Sequence, residues 1–522
     1  MECRGCDVRY DVIVVGAGSA GAVIAARLSE DPGRSVLLIE AGPDYPSLEA
    51  LPYKLRHGLI TAADAMPSDH LWGMTGRYTP TAEVALVPRG KVTGGSSAVN
   101  GEMFLRGIPE DFDGWAAAGN PAWSWEEVLP FFCKLERDVD VRAPYHGTDG
   151  PIPIRRWPRD EWLPPQDAFF EACREEGFEE SPDHNAPDAS GVGPLPTNNL
   201  DGDRQSTNVG YLNPARSRPN LTIQPECQVE RIVLEGKRAT GVVVRIGGEV
   251  RTFEADEIVL SSGAVGSPHL LMLSGIGPAE QLRAAGIPVL LDLPGVGQNL
   301  RDHPGVNTVW RPHPDHLMDP DAPRIQAILR YTARGSSLRN DMQIVMISFT
   351  AGRVDRGGDG RTPFGIAMRS VLNLAVGQGE IRLDPANPGG NPIIDFRLLE
   401  DAFDRSRLRE ALRLCVRLGG HPAFDGILGE RVAPTDADFA SDEALDAWLL
   451  REVTHTHHLS GTCKMGPASD STAVVDQEGR VHGLEGLRVA DAALMPDCIR
   501  ANTNATCMMI GERIADLMVR ER

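Results

Sequence analysis

The sequence predicts an α/β fold: a discontinuous Rossmann-type dinucleotide-binding domain joined to a second, α+β domain built on an antiparallel sheet. Three observations carry this. A short apolar strand runs directly into a glycine-rich turn near the start of the chain. A second loop rich in glycine and serine follows further on, flanked by basic residues. Between residues 303 and 452, polar and apolar residues alternate over long stretches, as in strands with one buried face. At 522 residues the chain is longer than one ordinary domain, and two intertwined domains are the natural expectation.

The first element is Tyr10-Asp-Val-Ile-Val-Val15, continuously apolar and β-branched, as in a buried parallel strand. Gly16-Ala-Gly18-Ser-Ala-Gly21 follows at once, a helix is expected over 22–28, and a second apolar strand over 36–39 ends in Glu40. The three glycines serve a tight turn, close approach to a pyrophosphate, and close helix–strand packing. Glu40 would accept hydrogen bonds from a ribose diol and repel a 2′-phosphate, so the ligand is FAD or NAD. No second strand–GxGxxG–helix unit is present, so a dedicated nicotinamide site is not implied.

The second loop is Gly90-Lys-Val-Thr-Gly-Gly-Ser-Ser-Ala-Val-Asn100, continuing to Phe104. Its bare amides suit a phosphate or an aromatic ring, and Arg89 and Lys91 could neutralise phosphate or face solvent. Next, Gly114-Trp115 reads as a turn, Trp123 onward as a short amphipathic helix, and residues 144–196 as an irregular proline-rich excursion. Strands are expected at 221–224 and 229–234, then a hairpin over 241–253, a buried strand from Glu257, and a further strand at 487–491. Helices are expected over 405–418 and 505–518. The nucleotide-binding domain is assigned residues 7–155, 200–305 and 456–522, and the substrate-binding domain 156–199 and 306–455.

The formal net charge of −21 argues against a nucleic-acid partner, which needs a basic face. No apolar run is long enough to span a bilayer, and the first residues lack the apolar core of a signal peptide, so a cytoplasmic location is expected. Nine cysteines, scattered and odd in number, do not suggest a disulfide framework. Cys3 and Cys6 have redox or metal spacing but no partner pair, and no metal is expected.

With these pieces in place the chain resembles the glucose–methanol–choline (GMC) family of FAD oxidoreductases. The resemblance rests on the two glycine loops and on Gly263-Ala-Val-Gly-Ser-Pro running to Gly277. It rests further on Val296-Gly-Gln-Asn-Leu-Arg-Asp302-His303, on Arg204-Gln-Ser206 with Tyr211, on His458-Leu-Ser-Gly461, and on Asn502-Thr-Asn504-Ala-Thr. It implies an alcohol substrate oxidised to an aldehyde or ketone by proton abstraction and hydride transfer to flavin N5, and a dehydrogenase rather than an oxidase. The electron acceptor (oxygen, a quinone or another carrier) stays open. Val99 stands where relatives similar to choline oxidase carry a flavin-bonded histidine, so FAD is expected to be non-covalent.

The resemblance places Gly16, Gly18, Ser19, Ala20, Glu40 and Ala41 around the ADP half. It places Trp72, Gly94, Gly95, Asn100, Gly101 and Met103 near the isoalloxazine and ribityl chain. Val229 is expected at the adenine and Asp491 with Ala492 at the pyrophosphate, and Asn502 and Thr503 join the cofactor set. Of His455, His457 and His458, family spacing selects His458 as the base, and histidine suits that task near neutral pH. Asn504 is expected to stabilise the developing alkoxide, while Asn502 also fits a helix cap. Two alternatives remain: a hydroxynitrile lyase-like flavoprotein with non-redox FAD, and a GMC enzyme dedicated to a redox peptide such as mycofactocin.

Overall fold

A computed structural model describes residues 9–58, 68–316, 322–351 and 364–521; Cys3 and Cys6 lie outside them. The opening motif folds as strand β1 (Arg9–Val15), helix α1 (Gly21–Leu28) and strand β2 (Val36–Ile39). β1 pairs in parallel with β2 on one side and with β3 (Glu249–Leu260) on the other, while Leu221–Gln224 extends the sheet beyond β2. β3 serves two neighbourhoods. Its first half pairs antiparallel with Arg238–Ile246, and its second half pairs in parallel with β1 and with Leu487–Val489. Val12 to Val15 and all of β2 are buried, which explains why these strands are continuously apolar rather than alternating.

Helix α2 (Gly263–Leu273) follows β3, and helix α3 (Thr503–Arg520) packs against α1. Glu512 of α3 pins that contact. Its fully buried carboxylate meets Arg27 at 2.7 Å and Lys134 at 2.9 Å, and accepts from the Tyr211 hydroxyl at 2.8 Å. Removing one partner of such a cluster strands the others, although Arg27 and Lys134 keep some access to water. Glu512→Ala is therefore expected to cost about 2–3 kcal/mol, read as a fall in the thermal midpoint.

The second sheet is antiparallel throughout. Its strands run in the order Leu428–Ala433, Pro304–Pro312, Phe364–Leu372, Met342–Ala351, Ala327–Tyr331 and Gly191–Pro194. A two-residue strand, Thr454–His455, pairs with the start of Pro304–Pro312. Helix Ala402–Gly419 covers one face, where Cys415 lies 3.3 Å from Ser370. Residues at alternate positions, among them Arg369 and Val371, therefore look the other way.

Two expectations about the intervening chain are corrected. Gly114-Trp115 is not a turn but lies inside the helix Pro109–Ala117. There Asp111 accepts from the Ile108 amide, and Trp115 is buried against Phe112 and Trp123, so packing outweighs the low helix propensity of glycine. Residues 144–196 are not wholly irregular, since Pro164–Glu175 forms a helix, started by proline and buried through Phe169, Phe170 and Cys173. A buried network ties this region down: His146 bridges Glu136 at 2.7 Å and Asp183 at 2.9 Å, and Arg156 bridges Asp138 and Asp183. No helix among the described residues is long and apolar enough to cross a membrane.

Candidate active site

A cavity of about 1240 Å³ opens between the carboxyl ends of the parallel strands and the uncovered face of the second sheet. This is where open α/β sheets receive ligands. Its floor is made by the two glycine loops, which touch. The Gly94 amide donates to the Ala17 carbonyl at 2.8 Å, and a Cβ on Gly95 would come within 2.6 Å of the Gly18 Cα. Gly16 takes φ +99°, and a side chain there would strike the Ser261 carbonyl at 2.6 Å. Gly18 has no such obstruction, so its backbone stays bare to the cavity, as close approach to a pyrophosphate requires.

Glu40 stands at the end of β2. One carboxylate oxygen accepts from the Ala17 amide at 3.0 Å, and the other from the Gly42 amide at 2.9 Å. A carboxylate accepts more than two hydrogen bonds, so lone pairs remain for a diol. Burial pushes this carboxyl up to about 7, against the pull of the amides of Gly42 and Ala17. Across the cavity Asp491 is held by the Gly263 amide, the Ser267 hydroxyl and the Ala493 amide. The loop carrying Asn100, Gly101 and Met103 is gathered by buried Arg204, which donates to the Ala98 carbonyl at 2.6 Å and the Asn100 carbonyl at 2.7 Å.

The histidine run is organised by Asp302. Its buried carboxylate accepts from the backbone amides of His303 (2.7 Å) and His458 (3.1 Å), and from His455 Nδ1 at 3.2 Å. Burial raises this carboxyl, but the hydrogen bond and charge of His455, followed by His458 and His303, outweigh it and hold Asp302 well below the usual carboxylate range. His457 adopts φ +69°, turning the chain so that His458 lines the cavity. Nδ1 of His458 lies 2.9 Å from His303 Nδ1 and 3.1 Å from the Thr456 hydroxyl, and Nε2 lies 3.0 Å from the Asn502 amide nitrogen. Burial, then the neighbouring His303 and Arg89, hold His458 well below the ordinary histidine range despite Asp302. It is therefore a neutral imidazole at pH 7. Because the Asn502 amide donates to Nε2, that nitrogen is the unprotonated one and its lone pair accepts this bond.

Every residue expected at the site lines this cavity except Gly94, which lies behind it. Gly16, Gly18, Ser19, Ala20, Glu40 and Ala41 lie together, as do Trp72, Gly95, Asn100, Gly101 and Met103. Val229, Asp491, Ala492, Asn502, Thr503, Asn504 and His458 complete the wall. The two asparagines make different contacts within the cavity wall. Asn502 sits at the N-cap position of α3 but makes no cap hydrogen bond, turning its amide to His458. The amide oxygen of Asn504 accepts from the Ser19 hydroxyl at 2.8 Å, binding α3 to the first glycine loop. Arg89 donates to the His457 carbonyl and lines the cavity, whereas Lys91 does not line it and stacks on the Trp72 ring at 4.8 Å. Asp302, His303 and Arg204 stood in recognised sequence blocks, but only the fold assigns them these contacts.

A nucleotide-type glycine turn, a neutral histidine and a side-chain amide thus meet at one cavity. The GMC oxidoreductase family profiles match residues 10–305 and 375–511, and the chain belongs to that family. It is 37% identical over 516 residues to an uncharacterized GMC-type oxidoreductase of Rhodococcus erythropolis, covering 98% of both chains. It is 35% identical over 540 residues to the oxygen-dependent choline dehydrogenase of Sinorhizobium fredii, covering 98% of this chain and 95% of that protein. Among solved structures, pyridoxine 4-oxidase from Mesorbium loti superposes with a TM-score of 0.90 at 30% identity, over 98% of this chain and 100% of that one.

Proposed function

We propose that the protein is an FAD-dependent alcohol dehydrogenase in which His458 is the base and Asn502 holds the substrate oxygen. The observation that carries this is the convergence of His458 Nε2 and the Asn502 amide nitrogen, 3.0 Å apart on the cavity wall. An alcohol oxygen that displaces this hydrogen bond would donate its proton to Nε2 and accept from the amide as negative charge develops. The leaving proton stays on Nε2, and the Nδ1 proton is supported by the Thr456 hydroxyl or by His303. FAD, when bound, supplies the two-electron acceptor for the hydrogen leaving carbon. The amides of the first glycine loop, Glu40, and Asn504 with Ser19 would hold its ADP half.

The division of labour between the asparagines is testable. Asn502→Ala is expected to slow anaerobic flavin reduction by about 10²-fold at unchanged flavin content. Asn504→Ala is expected to lower flavin retention instead, leaving the bound fraction to be reduced at close to the wild-type rate. The reverse pattern would return the alkoxide role to Asn504.

The reading includes non-covalent FAD, because Val99 lines the cavity where some relatives attach flavin through histidine. Acid precipitation should leave all yellow colour in the supernatant. It includes the dehydrogenase assignment implied by the family resemblance, against which stand a relative named oxygen-dependent and a solved neighbour named an oxidase. Substrate-reduced flavin should then persist in air and reoxidise rapidly with an added quinone. It also includes a cytoplasmic location and the two-domain division at residues 155/156, 199/200, 305/306 and 455/456. Absence of substrate-dependent bleaching would favour a lyase.

A further inference from the structure

The uncovered face of the second sheet presents one sign of charge to the cavity. Strands Pro304–Pro312, Phe364–Leu372 and Met342–Ala351 place Asn307, Arg369 and Val345 in one cross-strand row, with Gln343 beside Val371 in the next. Arg324, just ahead of Ala327–Tyr331, lines the same wall, its carbonyl fixed by the Ser348 amide at 3.0 Å and by Gln166. Arg369 spends its guanidinium on Asn307, Thr454 and the His455 carbonyl, steadying the strand next to the base. The Arg324 guanidinium has no acidic or hydrogen-bonding partner among the described residues, and burial lowers its pKa with no carboxylate opposing.

The carboxylates that line the cavity stand elsewhere and are engaged. Glu40 and Asp491 hold backbone amides, Glu102 is bound by Asn199 and the Gly58 amide, and Glu230 pairs with Arg245. A quaternary ammonium would need a free carboxylate or an aromatic cage on this wall. Among the described residues, no carboxylate of the second sheet lines it. A half-buried guanidinium facing the cavity without a carboxylate partner is open to an anion, and its planar fork matches a carboxylate.

We propose that Arg324 binds a carboxylate on the substrate, so that the enzyme oxidises alcohols bearing an anionic group, hydroxy acids, in preference to neutral or cationic alcohols. This rests on the alcohol-oxidising reading above.

The test is anaerobic reduction of the holoenzyme by three alcohols of similar size: 4-hydroxybutyrate, 1,4-butanediol and choline. A parallel flavin-absorbance titration uses butyrate, which cannot be oxidised at the same carbon. The acid should show an apparent Kd about 10–100-fold below that of the diol, the range of a charged hydrogen bond. In Arg324→Gln that ratio should collapse toward one and butyrate should no longer titrate, while Arg324→Lys should recover part of the ratio. A wild-type preference for choline or the diol overturns the proposal, as does butyrate binding unchanged in Arg324→Gln. If no alcohol bleaches the flavin, the oxidation reading fails instead, and the butyrate titration still decides the role of Arg324.

Discussion

His458→Ala is expected to slow anaerobic flavin reduction by about 10²–10⁴-fold while the protein keeps its flavin, the range for losing a positioned general base. The side chain contributes no hydrogen bond to the glycine loops or to Glu40, so cofactor content should not follow the rate down. The pH dependence supplies an independent check. Burial, then His303 and Arg89, hold the imidazole well below its ordinary value of 6.5. A base with a lowered pKa stays deprotonated, and therefore active, until the pH falls below that lowered value. Flavin reduction in the wild type should thus be flat from pH 8 down through 6.5 and decline only in more acid solution. A solvent-exposed histidine would already have lost half its activity near 6.5. A midpoint at or above 6.5 would show that His458 is not held as described.

Gly95→Ala is expected to yield protein with little or no flavin. Gly95 adopts φ +52°, and its added methyl carbon would lie 2.6 Å from the Gly18 Cα, an atom of backbone that cannot swing aside. The left-handed conformation alone costs a non-glycine residue about 1–2 kcal/mol. The larger effect is that the two loops must part at the point where the pyrophosphate should lie. The ratio of visible flavin absorbance to protein absorbance reports this directly. Gly114→Ala is the control: a Cβ there meets nothing within 4 Å, and the helical site should gain up to about 1 kcal/mol of stability. A Gly95→Ala protein as yellow as wild type would mean the loop contact is not needed for cofactor retention.

The elements legible in the sequence were those whose chemistry is local. Strand, glycine turn, helix and terminal acid follow one another within β1, α1 and β2, so periodicity and glycine placement suffice. The histidine run was legible as a candidate base because few side chains titrate near neutrality. Asn502 and Asn504 were not separable in this way. They share a side chain and a turn, and residues two apart at a helix start point in widely different directions, one here toward His458 and the other toward Ser19. Asp302 was equally opaque, because its role depends on meeting His455 and His458, which arrive from a distant segment. The wall formed by Asn307, Arg324, Gln343 and Arg369 comes from four separated stretches, and only cross-strand register assembles it. Gly114-Trp115 misled because a glycine was read without the buried aromatic next to it.

The alternation of the second sheet also divides the sequence into two mutational economies. Met346, Met368 and Ser370 face away from the cavity and are fully buried, so the fold constrains their size and shape. Their immediate neighbours Val345, Ile347, Arg369 and Val371 look onto the cavity, where the packing partner is a ligand. Selection can rewrite this second set one residue at a time without re-solving the first. Asp302, His458 and Asn502 stand outside both sets, fixed from loops and a helix start. A lineage built on this plan can therefore change what it oxidises while leaving intact how it oxidises.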